Sequence, residues 1–245
     1  MSEKASKIHW VRVLVEGVVI VGSILLAFGI EAWWEERVED DLEQRHLVAL
    51  LAEFEQNGQV LLQAREVYES RYMEAIQLLQ LMERNPTEID GAEFDELLRG
   101  LMFKRSFHLE SGAYDGLIAS GELALIRDEK LRGRLAAWPS YVVEWSEEDA
   151  AIFSFVDEWV LPLFSDRIRI RGISSDFPSF PDGDPPPPVP LGSTEAVLPA
   201  LISRSVQFDN LVFRRAQSTW HAMRDGETLR AQLSTIVGLI RQNLD

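Results

Sequence analysis

Four histidines, His9, His46, His108 and His221, are the side chains best suited to hold a metal or to move a proton near neutral pH. No two stand four residues apart, and none belongs to an HExxH pattern, so their spacing offers no metal-binding helix face. There is no cysteine, which excludes thiolate zinc sites, disulfides and cysteine nucleophiles. GxSxG, P-loop and dinucleotide fingerprints are absent. The stretch SGAYDGLIASG spaces Gly112, Gly116 and Gly121 somewhat as a phosphate loop would. No strand precedes it and no lysine follows in the required place, so the small residues read as points of close helix approach. Glu110 and Asp115 flank the same stretch as candidates to line a cleft, with capping of a helix start as the plainer role. Carboxylates abound, yet spacing alone singles out no acid–base pair. The expectation is a protein that is not an enzyme and has no cofactor and no metal.

Two further groups of residues invite a binding role. Glu16 lies inside an apolar run, where a carboxylate is costly. Arg12 precedes it by four residues and shares its helix face. Ser23 and Ala27 fall on that face, and Gly22 and Gly29 lie on an adjacent stripe. Small residues on one side of a span let helices approach closely, so Glu16, Gly22, Ser23, Ala27 and Gly29 are candidates for helix association. A snorkelling Arg12–Glu16 pair near the end of the span is the competing reading. Farther along, Arg167, Arg169 and Arg171 alternate and would share one face of an extended strand. They are candidates to contact an anion or a partner, although pairing with acidic neighbours is the simpler role in a chain of net charge −16. That charge argues against nucleic acid as a partner and against docking on anionic lipid through a basic face.

The elements that carry these residues begin with the apolar run. Residues 11–34, interrupted only by Arg12, Glu16 and Glu31, would cover about 35 Å as a helix, enough to cross a bilayer core of about 30 Å. Trp10 and Arg12 at one end, and Trp33 and Trp34 at the other, are placed as interfacial anchors. A buried core helix and a cleaved signal are the alternatives. Against cleavage, the run continues into bulky, acidic IEAWWEERVEDD with no small-residue site. Lys4, Lys7 and Arg12 upstream favour a cytoplasmic N-terminus. The expected organisation is a cytoplasmic tail (1–10), a transmembrane helix (11–34) and a soluble helical domain (35–245). The fold class is all-α, a span continuing into a long helix and then an acidic bundle.

Within that domain, EERVEDDLEQR reads as a solvated stalk. A stripe through Leu47, Leu51, Phe54, Gly58, Leu61, Arg65, Tyr68, Tyr72, Ala75, Leu79 and Met82, widened by Leu50, Leu62, Ile76 and Leu78, gives a bundle helix that Asn85-Pro86-Thr87 stops. Residues 92–102 form a short helix. Ser111 caps the next, and Gly121 ends it. Asp128 caps another, which Pro139 breaks or kinks before a restart near Ser146; Pro162 should kink the end of the restarted helix. Residues 165–194 form a proline-rich irregular loop with a run of four prolines. Two helices close the chain, separated by a turn at Asp225-Gly226.

LVEGVVIVGSILLAFGIEAWWEE followed by LLAEFEQN resembles the start of an uncharacterised bacterial family of single-pass membrane proteins. YDGLIASGELALIRDEKLRGRLAAWPSYV resembles that family's second block, a Y-x-x-L-x-x-S-G helix followed by L-x-x-I. The resemblance covers about two thirds of the chain and implies a membrane-anchored helical protein; it carries over no catalytic residue. The functional expectation is a scaffold or protein-interaction module in a bacterial inner membrane. It would have a periplasmic domain, the lipid bilayer and an unknown protein as partners, and self-association through the span and long helix. A ligand-binding or sensory ectodomain is the alternative. A cytoplasmic tail of about ten residues is too short to carry an output domain, so such a protein would signal through a partner. A membrane-tethered carboxylate hydrolase is a third class, marked by a pocket of converging acids.

Overall fold

The computed structural model describes residues 10–84, 89–168, 170 and 205–244, with side chains from Leu14 onward. The protein is all-α. Helix α1 runs unbroken from Trp10–Met82, 73 residues and roughly 110 Å at ~1.5 Å per residue. It is followed by α2 (Gly91–Met102), α3 (Gly112–Ala119), a 3₁₀ turn (Glu122–Leu125) and α4 (Glu129–Phe155). A π turn (Val156–Val160) leads into α5 (Leu161–Arg167), and α6 spans Val206–Leu244. Helix α6 packs chiefly on α1, α4 packs on α6, and α2 and α3 lie against α1.

The buried seam of α1 consists of Leu47, Leu50, Phe54, Asn57, Leu61, Ala64, Tyr68, Ala75 and Leu78. It keeps the three–four alternation of a helix wound against its neighbours. The expected stripe is shifted in part: Leu47, Phe54, Leu61, Tyr68 and Ala75 are buried as expected, with Leu50 and Leu78 that widen it, but Asn57 and Ala64 fill the core where Gly58 and Arg65 were expected, and Leu51 and Leu79 are only half-buried at its margin. Polar Asn57 hid the true seam. The stalk is also shorter than expected. Glu35 to Glu39 are exposed, but Glu43 is already buried.

Asp128 caps α4 as the sequence indicates, accepting from the Lys130 and Leu131 amides at 2.7 and 2.9 Å; Asp90, not singled out in the sequence, caps α2 by accepting from Ala92 at 3.0 Å. Gly121 has φ of 75°, the left-handed conformation that ends α3. Ser111 occupies the N-cap position of α3 but does not cap it; its hydroxyl donates to Asp115 at 2.7 Å.

Two expected breaks are absent. Asp225-Gly226 makes no turn, and one helix, α6, replaces the two expected. A Cβ on Gly226 would lie 3.2 Å from Nε1 of the buried Trp145. The glycine is a slot that admits an indole from α4, and this packing overrides the local turn signal. Likewise α4 continues through Pro139. Proline has no N–H for the carbonyl four residues back. The Tyr114 hydroxyl, reaching over from α3, donates to that Leu135 carbonyl at 3.0 Å. Near Pro162 the chain widens into the π turn, where the Leu161 amide reaches the Val156 carbonyl, and the proline falls in the first turn of α5.

Removing the substitute donor with Tyr114→Phe should cost about 1–2 kcal/mol of stability, the cost of leaving a buried carbonyl unpaired. In a Pro139→Ala background, where the helix regains its own N–H, the same change should cost clearly less. Urea unfolding of the four proteins of this double-mutant cycle measures the difference. Equal costs in both backgrounds would mean that Tyr114 does not stand in for the missing amide.

Candidate functional site

Between α2 and α3, residues 103–111 carry no secondary structure, yet they lie against the bundle and plug Phe107 into it. Backbone groups in such a segment need partners, and side chains of three helices provide them. From α6, Arg215 donates to the Phe103 carbonyl at 2.6 Å. From α4, Asp149 accepts from the Ser106 hydroxyl at 3.4 Å and from the Phe107 amide. From α1, Asn57 accepts from the Glu110 amide at 2.7 Å and donates to the Glu110 carbonyl at 2.8 Å. One turn earlier on α1, Glu53 accepts from the Ala113 and Tyr114 amides at 2.5 and 3.2 Å. Glu53 thus caps α3 in place of Ser111, with its charge at the positive end of that helix. Farther down α1, His46 meets Glu122 at 2.8 Å and Glu43 accepts from the Arg127 amide at 2.8 Å. The Ser120 hydroxyl and His46 together hold the Glu122 carboxyl below its ordinary range. Glu110 and Asp115 are thereby placed: the first is clamped by its backbone, and the second pairs with Ser111.

Where Asp149 and Arg215 meet α1, a polar layer divides the core in two. Below it lies a cluster built from Leu47 to Tyr68 of α1 with Trp138, Trp145 and Ile236. Above it lies a second cluster from Ala75 to Leu81, with Phe94, Phe164 and Phe208. In the layer, the Tyr68 hydroxyl donates to Asp149 through a short hydrogen bond. The guanidinium of Arg215 is 2% exposed, and burial together with nearby Arg71 lowers its pKa to about 10. Arg71 pairs with Glu74 at 2.8 Å and lies over the Phe103 ring at 4.7 Å. A Cβ on Gly100 would meet the Glu74 carboxylate, which would have to turn aside, so the glycine leaves that carboxylate room between α1 and α2. Burial raises the pKa of both Asp149 and Glu74, and of Tyr68 still more.

The apolar run behaves differently. No part of the apolar stretch of α1 is buried in the bundle, and this helix is long and apolar enough to cross a membrane. Glu16, Gly22, Ala27 and Gly29 are exposed on it, and no atom lies within 4 Å of a Cβ built on either glycine. The Ser23 hydroxyl donates to the Val19 carbonyl at 2.7 Å, so it is engaged within its own helix. Trp33 and Trp34 are more than half exposed. Trp10 and Arg12 belong to α1, but their side chains lie outside the described residues. Arg167 closes α5 and is helical, not part of an extended strand; Arg169 and Arg171 lie outside the described residues, as does most of the expected loop 165–194.

A surface feature that the sequence did not reveal runs beside α1. Tyr72, Ile76 and Leu79 face Phe213, Gln217 and Trp220 of α6 across an open groove of about 360 Å³. It continues into a wider part of about 670 Å³ lined by Arg65, Arg224 and Glu227. Phe213 and Trp220 are 58% and 46% exposed. Arg65 is exposed on the groove wall, while Tyr72 and Leu79 line it and also pack against the upper core cluster. Comparison with known proteins finds no matching family model, no matching curated protein and no matching solved structure.

Asn57→Ala should destabilise the protein by about 2–3 kcal/mol, because it leaves both backbone groups of Glu110 without their partner. A denaturant midpoint equal to that of the wild type would refute the clamp. For Asp149 the sign follows from its raised pKa. The fold holds that proton more tightly than the unfolded chain, so the contribution is complete below the ordinary carboxylate value and is lost as pH rises through the raised one. The stability of the wild type relative to Asp149→Asn should therefore increase as pH falls from 7.5 to 4.5, measured by thermal unfolding at each pH. A decrease would show that the fold favours the anion.

Proposed function

We propose that this protein is a single-pass protein of a bacterial inner membrane, with its N-terminus in the cytoplasm and its helical domain in the periplasm. There it acts as a scaffold or protein-interaction module that associates with itself. One observation carries this reading: a helix whose apolar end buries nothing continues without a break into the seam of a packed bundle. Thirteen large apolar side chains between Leu14 and Trp34 are exposed. Leaving them in water would cost on the order of 20 kcal/mol, which a bilayer removes. Trp33 and Trp34 at the upper end suit the interface, and the acidic turns that follow suit water. The interaction role draws support from the groove beside α1, while the buried acids are engaged in holding the fold together.

Fusions at the C-terminus test the topology in bacterial cells. Alkaline phosphatase should be active and a fluorescent protein dark. Fluorescence without phosphatase activity would place the helical domain in the cytosol and overturn the orientation.

A further inference from the structure

We propose that the groove between α1 and α6 is where a second copy of this chain docks, side by side and in the same orientation, with the contact continuing down α1 into the apolar segment at Ala27, Ser23 and Glu16. This rests on the reading that the chain is anchored by that segment. Anchored copies share one direction, so a two-fold axis relating two of them must run along the membrane normal, and each patch then meets itself at equal height. The groove lies along α1 and so presents its whole length to such a partner.

Charge favours this face. The chain carries a net charge of −16, which drives copies apart over most of its surface. At the groove, however, arginines gather: Arg65 pairs with Glu227 at 2.8 Å, Arg224 with Asp225 at 2.8 Å and Arg230 with Glu227 at 3.1 Å. Both signs stand at one level, so each copy offers carboxylates to the other's arginines. Arg224 also lies over the half-exposed Trp220 ring at 5.4 Å, the kind of aromatic–arginine anchor that interfaces use.

The continuation into the apolar segment carries the winding of the buried seam of α1 downward into its exposed part. Its buried seam holds three–four spacing from Leu47 to Leu78, whereas a straight helix would drift by about 20° per heptad. Counting back in sevens from Tyr72 and Arg65 of the groove wall passes Gly58, beside Leu233 of α6, and Leu51, against the lower core, and reaches Ser23 and Glu16, with Ala27 one turn above Ser23. Small side chains there admit a neighbouring backbone. Gly22 and Gly29 lie on a different face under this winding.

The absence of cysteine allows a clean test in the full-length chain, in native membranes, with a short thiol-to-thiol bismaleimide. Single substitutions Gln217→Cys in the groove and Ala27→Cys in the apolar segment should give a linked dimer. Gly22→Cys and Val143→Cys, the latter exposed on α4, should not. Adding Trp220→Glu to Ala27→Cys should lower the linked fraction severalfold, although the two sites are far apart. Links at Gly22 or Val143 with none at Gln217 would overturn the docking face. So would a link from Gln217 to a different protein, or no link at any position. Carbonate extraction separates the two readings. A chain that stays with the membrane but does not link overturns the docking alone, whereas a chain released by carbonate overturns the anchoring beneath it.

Discussion

A chain that leaves helical structure while still lying against a helical bundle must find hydrogen-bond partners for its backbone, and much of this fold follows from that need. The segment between α2 and α3 has no ladder and no helix of its own. Asn57 and Glu53 of α1, Asp149 of α4 and Arg215 of α6 supply the missing partners. They come from three distant stretches of sequence, so the segment is correctly held only when α1, α4 and α6 are in register. Asn57 is the strictest of the four, because it is fully buried and both donates and accepts.

The same side chains set the vertical order of the molecule. Two apolar clusters would by themselves tolerate sliding of one helix along another, since hydrophobic burial has no direction. The layer of Tyr68, Asp149 and Arg215 between them does not. Moving α6 by one turn would separate Arg215 from the Phe103 carbonyl, and moving α4 would separate Asp149 from Tyr68. Buried polar groups used in this way cost stability and fix register.

The fold class, the length of α1, the start of α2, the cap at Asp128 and the role of Gly121 were all legible, because each rests on local spacing or local dihedral preference. What escaped were features in which a distant partner changes the meaning of a residue. Asn57 looks like an interruption of an apolar stripe until Glu110 is placed beside it. Pro139 looks like a helix break until Tyr114 lends a donor, and Gly226 looks like a turn until Trp145 fills its slot. Ser111 stands at the correct position and is displaced by Glu53, a stronger acceptor from another helix. The two sequence blocks LLAEFEQN and YDGLIASG give no sign that they touch. In the structure, Glu53 and Asn57 of the first hold the start of the second.

The absence of any joint in α1 has a mechanical side. From Trp34 to Met82 the helix rises roughly 70 Å without a proline or a loop, and the bundle is mounted on that rod as on a mast. Turning its apolar end by about 10° sweeps Met82 sideways by roughly 12 Å. Because the first buried side chain stands only about two turns beyond Trp34, there is little slack to absorb that motion before it reaches the bundle. The rod works as a lever: small movements at its foot become large displacements at its head, and a load at the head returns to the foot as torque.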